Sequence, residues 1–293
     1  MPSSSLEYGM PQPVRVRQLR DWLDSQPAIK GDVWLDNLGE RKVEEARFHD
    51  EDREGHRDED SPQSSPNRRF YEAASDIREH YANWMQRRAA NAIFLDYACG
   101  NGIQTIAAVR AGAALAVGID ISEVSVRNST ESAAIANVSN RTHFLQRDCE
   151  DTGFPDKTFD AILCSGMLHH LDLTRAFPEL HRILAPGGRI LCQEALAYNP
   201  VIQLYRNRTP ELRTAWEKEH ILGMKDIRFA TQWFRVENLR FFLMAAPLAT
   251  LLPMGPLRRA GLAVGHALDT VLTRVPGLRL WSWQFSFELV KPR

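Results

Sequence analysis

The centre of the chain alternates short apolar runs with segments of helical spacing. Nearly continuous apolar strands separated by helices are typical of a parallel sheet that is covered on both faces. Such sheets place their ligands beyond the carboxyl ends of the strands, so those ends are where chemistry is expected. The apolar runs cover residues 92–97, 114–119, 143–146, 161–164 and 189–192.

The flanking segments divide the chain further. Apolar positions from Val14 to Leu38 predict two short amphipathic helices, broken near Pro27 and Gly31. Asp, Glu, Arg, Ser and Pro dominate residues 49–69, which predicts a mobile polar connector. We therefore expect an N-terminal helical cap (1–48), the connector (49–69) and a main domain (70–293), divided into a cofactor core (90–195), a C-terminal helical substrate lid (196–279) and a closing strand (280–290).

Part of the lid carries no charge. Residues 241–257 contain no charged side chain, but Pro247, Pro253 and Pro256 would break a membrane-spanning helix. We therefore expect a buried or interfacial lid. With residues 260–272 it forms an apolar insert, for which three interpretations stay open. It covers a hydrophobic acceptor, it contacts a membrane surface or a second subunit, or it packs on the sheet as ordinary core.

The composition is that of a folded protein without a global basic field. Its 36 Lys and Arg nearly balance 37 Asp and Glu, leaving a net charge of -1, which disfavours a nucleic-acid partner. The 4 Cys lack metal-binding or disulfide spacing, which favours a reducing compartment. The first residues lack the basic and apolar regions of a signal peptide, so we expect a cytoplasmic protein.

Candidate ligand-binding residues follow three consecutive strands. Residues 96–102 (DYACGNG) form a glycine turn, in which a ligand can approach the backbone and a helix N-terminus. Thr105 replaces the third glycine of the dinucleotide fingerprint, and Asp96 would repel a pyrophosphate. Both features disfavour an NAD-dependent oxidoreductase and favour a cationic amino-acid cofactor. Asp120, about twenty positions beyond the turn, is placed to hold a ribose diol, and Asp148 to meet an adenine edge.

On these residues the chain resembles the class I S-adenosylmethionine-dependent methyltransferases, of the small-molecule type related to the ubiquinone and menaquinone methylating enzymes. Further matching motifs are residues 154–160 (FPDKTFD), 168–171 (LHHL) and 184–188 (LAPGG). The resemblance covers residues 90–195. It implies S-adenosylmethionine as the cofactor and a Rossmann-like, seven-stranded, mostly parallel sheet with helices on both faces, closed by an antiparallel strand at 280–290.

The resemblance also assigns roles at the strand ends. The first end would hold the methionine portion of the cofactor, the second the ribose and the third the adenine, while residues 186–188 would form a structural turn before the fifth strand. The cofactor-binding residues implied in this way are Asp96, Gly100, Gly102, Asp120, Ile121, Asp148 and Cys149.

Two neighbouring histidines are the candidates for catalysis. Methyl transfer mainly requires alignment in a dry site, and an acceptor hydroxyl or acidic carbon also needs a base. His169 and His170 follow the fourth strand, and we place the base on His170 slightly ahead of His169. In the alternative interpretation, one imidazole only braces the loop.

The acceptor-binding residues are harder to assign. Tyr71 and Tyr81 precede the first strand, where stacking on an adenine or acceptor ring and plain core packing are equally favoured. His220 is a substrate-binding candidate in the lid, although a solvated helix position explains it as well. Arg206 and Arg213, with Arg208, could bind an anionic acceptor, but we favour a solvated face.

The sequence therefore predicts a methyltransferase acting on oxygen or carbon of a lipophilic small molecule, such as a secondary metabolite, quinone, terpenoid or glycolipid. A metal is not expected, because no ligand cluster is visible in the sequence. Two alternatives stay open, a C-methyltransferase or cyclase of natural-product biosynthesis and a cofactor-binding adaptor without catalysis. A homo-oligomer that exchanges the N-terminal helices is a further hypothesis.

Overall fold

The apolar runs form parallel strands of one seven-stranded sheet in a computed structural model of the chain. The structure describes residues 12–54, 70 and 72–293, without the side chains of Asp52 and Glu211. The strand order is β3-β2-β1-β4-β5-β7-β6, in which β7 runs antiparallel to both β5 and β6. The strands are β1 (Ile93–Tyr97), β2 (Leu115–Asp120), β3 (Thr142–Gln146), β4 (Phe159–Ser165), β5 (Leu184–Ala195), β6 (Arg235–Phe242) and β7 (Gln284–Val290).

Helices connect the strands and cover both faces of the sheet. They are α1 (Gln12–Asp24), α2 (Asp32–Asp36), α3 (Glu40–Glu54), α4 (Ser75–Arg88), α5 (Ile103–Arg110), α6 (Glu123–Ile135), α7 (Leu173–Ile183), α8 (Pro200–Arg208), α9 (Ala215–Glu219), α10 (Met224–Ala230), α11 (Ala246–Ala249) and α12 (Pro256–Leu272). Short 3-10 helices span Ser139–Arg141, Leu168–His170, Pro210–Leu212 and Leu278–Trp281.

The hydrophobic core has two parts, one on each face of the sheet. On one face, Leu23 of α1 and Phe177 of α7 pack with buried strand residues. On the other face, Trp84 of α4, Ile106 of α5 and Val126 of α6 form the second part. Because both faces are covered, every residue of β1 and β2 is buried, which explains their continuous apolar runs. The doubly covered parallel sheet predicted from the sequence is confirmed.

Several predicted boundaries differ in the structure. The first six residues of the predicted connector, 49–54, belong to α3, while residues 55–69 lie outside the described part of the chain. The lid contains the edge strand β6, which the sequence analysis missed because its polar positions face solvent. Residues 186–188 lie within β5 rather than ahead of it, although Gly187 has a φ of 75°. The closing strand begins only at Gln284.

Among the described residues, no helix combines the length and apolar character that a membrane crossing would require. The longest helix of the lid, α12, has 17 residues and contains two arginines and an aspartate.

Candidate active site

The glycine turn after β1 is built as its sequence predicts. Gly102 caps α5 with a φ of 81°, and a Cβ there would lie 2.8 Å from Cβ of Ser129, so only glycine fits. Thr105 donates a hydrogen bond of 2.8 Å to Asp96, which is buried under the turn. Thr105, which replaces the third glycine of the dinucleotide fingerprint, is therefore the hydrogen-bond partner of Asp96.

Asp120 at the end of β2 is held rigidly. Its two carboxylate oxygens accept the backbone N–H groups of Gly100 at 2.9 Å and Ser122 at 3.0 Å. A carboxylate offers about four acceptor positions, and the two backbone N–H groups take two of them. Arg53 of α3 lies 3.4 Å from the same carboxylate and donates to the hydroxyl of Ser125.

Asp148 after β3 belongs to a buried charge cluster. Lys42 of α3 contacts Asp148 at 2.5 Å and Glu150 at 2.8 Å, and all three side chains are at most 7% exposed. Arg41 donates to Glu150 and, at 2.7 Å, to the carbonyl of His170. These contacts hold α3 across the ends of β2 and β3.

A small cavity lies between α3 and these strand ends, and we call it the cofactor cavity. It measures about 110 Å³ and is lined by Asp120, Ile121, Asp148 and Cys149, together with His170. Four of the seven predicted cofactor residues thus share one cavity. Asp96, Gly100 and Gly102 lie next to it in the turn but are not part of its lining. Burial raises the pKa of the Cys149 thiol, which is therefore neutral.

The opposite wall of the cofactor cavity comes from one face of α3. Its polar side chains Lys42, Glu45, His49 and Arg53 follow helical spacing and line the cavity together. Burial and the nearby Arg53 charge lower the pKa of His49 to about 4, so this imidazole is neutral near pH 7. The sequence analysis missed this wall, because these residues were assigned to a separate cap and connector.

His170 faces the cofactor cavity and is fixed by Glu45. Its Nδ1 lies 2.9 Å from Glu45, whose other oxygen accepts the hydroxyl of Thr214 at 2.5 Å. Burial opposes the charged imidazole, but the hydrogen bond and the charge of Glu45 raise the pKa of His170 above its usual value. His170 is thus positioned as half of an ion pair.

Potential metal ligands lie close together at this point. One nitrogen or oxygen atom each from Glu45, His49 and His170 lies within 4.8 Å of the others, and His169, His170 and Glu217 form a second such group. The sequence could not show these groups, since α3 and the loop after β4 are more than a hundred residues apart. Glu45 already satisfies His170 by a direct hydrogen bond.

His169 faces the other way and is held by a buried carboxylate. Its Nδ1 lies 2.6 Å from Glu194 on β5, whose side chain is fully buried and also accepts the backbone N–H of Met167 and Leu168. Because a carboxylate only accepts, we assign the hydrogen to Nδ1, which leaves the lone pair on Nε2. The nearest carboxylate to Nε2 is Glu217 at 3.9 Å, too far for a hydrogen bond.

A second, larger cavity receives His169, and we call it the acceptor cavity. It measures about 930 Å³ and lies between α4, α8, the end of β5 and the lid. Its apolar lining includes Val201, Leu248, Leu251 and Trp283. Ser165 and Gly166, at the end of β4, line both the acceptor cavity and the cofactor cavity, so the two cavities adjoin there.

Of the three predicted substrate residues, one lines a cavity, one does not, and one lies outside the described residues. Tyr81 lines the acceptor cavity and donates a 2.5 Å hydrogen bond to Ser165, and burial raises the pKa of its hydroxyl. His220 is exposed, stacks on Trp216 with ring centroids 3.6 Å apart and lines neither cavity. Tyr71 lies outside the described residues.

The lid arginines correct a further prediction. We favoured a solvated face, but Arg206 is only 9% exposed and, with Arg213, forms part of the wall of the acceptor cavity. Arg208 alone is exposed as predicted. The two inward arginines lie seven positions apart, on α8 and after the following 3-10 helix.

Comparison with known proteins agrees with this geometry. Residues 95–192 match the model of the family described as a methyltransferase domain. A demethylmenaquinone methyltransferase of Symbiobacterium thermophilum is 33% identical over 104 residues, 34% of this chain and 41% of that protein. The ribosomal protein L11 methyltransferase of Neisseria meningitidis serogroup B is 40% identical over 113 residues, 37% of this chain and 34% of that protein.

A solved structure shows the same fold over more of the chain. The magnesium protoporphyrin IX methyltransferase of Synechocystis PCC 6803 with bound SAH has a TM-score of 0.58 and 15% identity, covering 85% of this chain and 99% of that one. Residues 95–192 therefore match a methyltransferase domain, and the chain has the fold of the class I S-adenosylmethionine-dependent methyltransferases, as the resemblance implied. The chain spans less than half of the length of the two curated relatives. The residues matched by the family model include the strand ends expected to bind the cofactor, but not the lid expected to bind the acceptor.

Proposed function

We propose that the protein transfers a methyl group from S-adenosylmethionine to oxygen or carbon of a lipophilic small molecule. The observation that carries this proposal is the meeting of the two cavities at Ser165 and Gly166. One cavity presents carboxylates suited to a nucleoside, and the other is large and mostly apolar. A quinone, terpenoid or similar secondary metabolite fits that description of the acceptor.

The residues at the strand ends fit the cofactor chemically. Once Arg53 moves away, Asp120 offers two acceptor positions for the two ribose hydroxyls, and the glycine turn exposes backbone at the first strand end. Asp148 and Cys149 line the cavity where adenine is expected. When bound, S-adenosylmethionine supplies a methyl carbon made electrophilic by the sulfonium.

The cavity is small for such a ligand. Small-molecule sites usually enclose about 300–1,000 Å³, whereas the cofactor cavity encloses about 110 Å³. Helix α3 must therefore move outward, or its side chains must rearrange, when the nucleoside enters. Arg53 of α3 contacts the carboxylate of Asp120, which is expected to bind the ribose.

We place the base on His169 rather than His170. His169 lines the acceptor cavity, while His170 lines the cofactor cavity and is paired with Glu45. Glu194 orients the His169 ring and stabilises the imidazolium that forms when Nε2 takes a proton from the acceptor. The apolar side chains of the cavity wall reduce the access of water to this transfer.

The test is transfer of labelled methyl groups to molecules of the source cells. Purified protein is incubated with methyl-labelled S-adenosylmethionine and a cell extract, and organic and macromolecular fractions are counted separately. We expect label in an organic-soluble compound, with the His169→Gln variant as the control. Label confined to protein or RNA would contradict the acceptor class. Absence of any transfer, despite cofactor binding by calorimetry, would favour the adaptor.

A further inference from the structure

The outer surface of the lid exposes an unusual number of large apolar side chains. We define the lid surface as α11, α12, the loop between them and the 3-10 helix Leu278–Trp281. Met254 is 82% exposed, and Leu257, Val264 and Val271 are each at least 60% exposed. Isolated exposed apolar residues are ordinary, but a contiguous group of this kind usually marks an interaction site.

The exposed residues of α12 form a single stripe. Leu257, Val264, Leu268 and Val271 follow spacings of seven, four and three, so they lie on one helix face. A different face packs on α11, where a Cβ on Gly265 would lie 2.6 Å from Cα of Ala246. This close packing fixes the orientation of α12, so its apolar stripe faces outward.

The charges of this region are almost entirely positive. Residues 241–283 contain four arginines and a single acidic residue, Asp269. Asp269 is buried and accepts the backbone N–H groups that begin α11, including that of Ala245 at 2.6 Å. Arg258 is paired with Glu72 at 3.0 Å, and Asp269 is not available to neutralise the other three arginines.

A cavity on the face of α12 opposite the stripe is lined by four arginines and by three carboxylates, those of Asp76, Glu79 and Asp269. It measures about 770 Å³ and lies between α4, β6 and α12. Within the described part of the chain, no carboxylate forms an ion pair with any of its four guanidinium groups. Burial and, to a smaller extent, the charge of Arg240 lower the pKa of the neighbouring His80 to about 4. The four residues are Arg87, Arg240, Arg274 and Arg279.

Exposed Arg259 and Arg274 flank the apolar stripe, a combination that is complementary to one environment in particular. At the surface of a negatively charged bilayer, the apolar stripe can enter the acyl boundary while the guanidinium groups contact lipid phosphates. Trp281, 54% exposed at the edge of the surface, is a residue type enriched at this boundary. A second copy of the chain fits less well, because a two-fold contact would bring the same positive charges together.

We propose that the lid surface docks the protein on the headgroup and acyl boundary of an anionic membrane. Leu248 and Leu251 are each 63% exposed on this surface and also line the acceptor cavity. Resting on the proposed function, docking would let a lipophilic acceptor pass from the bilayer into the cavity without crossing water. The surface lies on the membrane and does not span it.

Sedimentation with lipid vesicles tests the proposal on the full chain. The vesicles consist of phosphatidylcholine alone or of phosphatidylcholine with about one third phosphatidylglycerol. We expect binding to the anionic vesicles and weak binding to the neutral ones. Replacing Val264 and Leu268 by Glu should lower the partition coefficient about tenfold or more, because two buried apolar side chains are lost.

Matched variants separate docking from other causes. Ile135→Glu changes an apolar residue that is 75% exposed on α6, away from the lid surface, and should leave vesicle binding unchanged. Arg259→Glu with Arg274→Glu should remove the preference for anionic vesicles. If the Val264 and Leu268 variant fails to fold by circular dichroism, Met254→Glu at the most exposed position replaces it.

Vesicle binding that is absent, or equal for the wild type and the lid variants, would overturn the proposal. So would a dimer by light scattering that the lid variants dissociate, without vesicle binding, since the surface would then join two copies. S-adenosylhomocysteine binding is measured by calorimetry on every variant. It should stay unchanged, so a failure of docking and a failure of the cofactor assignment are distinguishable.

Discussion

At the scale of single residues, Asp120 decides whether the cofactor assignment holds. Hydrogen bonds to a charged group contribute about 1.5–3 kcal/mol each. We therefore expect Asp120→Ala to weaken S-adenosylhomocysteine binding about a hundredfold in calorimetry. Asp36→Ala, at a side chain that is 64% exposed on α2, should leave the dissociation constant unchanged. Equal affinity of the Asp120 variant and the wild type would contradict the assignment of Asp120 to the ribose.

The two histidines make opposite predictions. His169→Gln should lower methyl transfer by about a hundredfold or more, because a general base is lost, with little change in S-adenosylhomocysteine affinity. His170→Gln should weaken that affinity, because the residue lines the cofactor cavity and anchors Glu45. Label transfer and calorimetry on both variants check this. The reverse pattern would indicate that His170, and not His169, is the base.

The sequence could not separate these two histidines. Both follow the same strand, and neighbouring residues on a turn can point in opposite directions. What separates them is their partners, Glu194 from β5 and Glu45 from α3. Glu194 could have been noticed, since it follows the predicted strand 189–192 by two residues. Glu45 could not, because a partner more than a hundred residues away leaves no local signal.

At the scale of elements, helix α3 is the part of the site that the sequence analysis predicted least well. Its polar face at positions 42, 45, 49 and 53 has helical spacing, but the surrounding acidic and basic residues resemble a solvated linker. Only the tertiary structure shows that this face covers the carboxylates at the strand ends. The strand ends themselves were predictable, because parallel sheets bring consecutive carboxyl ends to one edge.

Arg53 gives a prediction for this helix. It occupies the side of Asp120 that the ribose requires, so the cofactor must compete with it. We expect Arg53→Ala to tighten S-adenosylhomocysteine binding about three- to tenfold, because the bound arrangement of α3 becomes easier to reach. Arg47→Ala, on the same helix but 68% exposed, serves as the control in calorimetry. Weaker binding by the Arg53 variant would instead make Arg53 a cofactor ligand.

At the scale of the whole molecule, the sheet was predictable and its periphery was not. The parallel direction of β1 to β5 follows from the alternating apolar runs and helices, whereas the seven strands and the closing antiparallel strand were implied by the family resemblance. Strand β6 was missed because it is an edge strand, with exposed Arg235 and Asn238 inside a segment that appeared to be lid. The division of the chain into a cap and a main domain depends on where α1 packs.

We propose that α1 belongs to the main folding unit rather than to a separate cap. Leu19 and Leu23 are fully buried in the core on one face of the sheet, and Arg15 forms a 2.8 Å ion pair with Asp160 after the start of β4. Leu23→Ala should therefore lower the free energy of unfolding by about 2–5 kcal/mol, the usual cost of a cavity in a core. Denaturant unfolding followed by circular dichroism should show one cooperative transition, shifted as a whole. Val33→Ala, at a residue that is 79% exposed on α2, should shift it by less than about 0.5 kcal/mol. A separate early transition in the Leu23 variant, with the main one unmoved, would instead show that the N-terminal helices fold on their own.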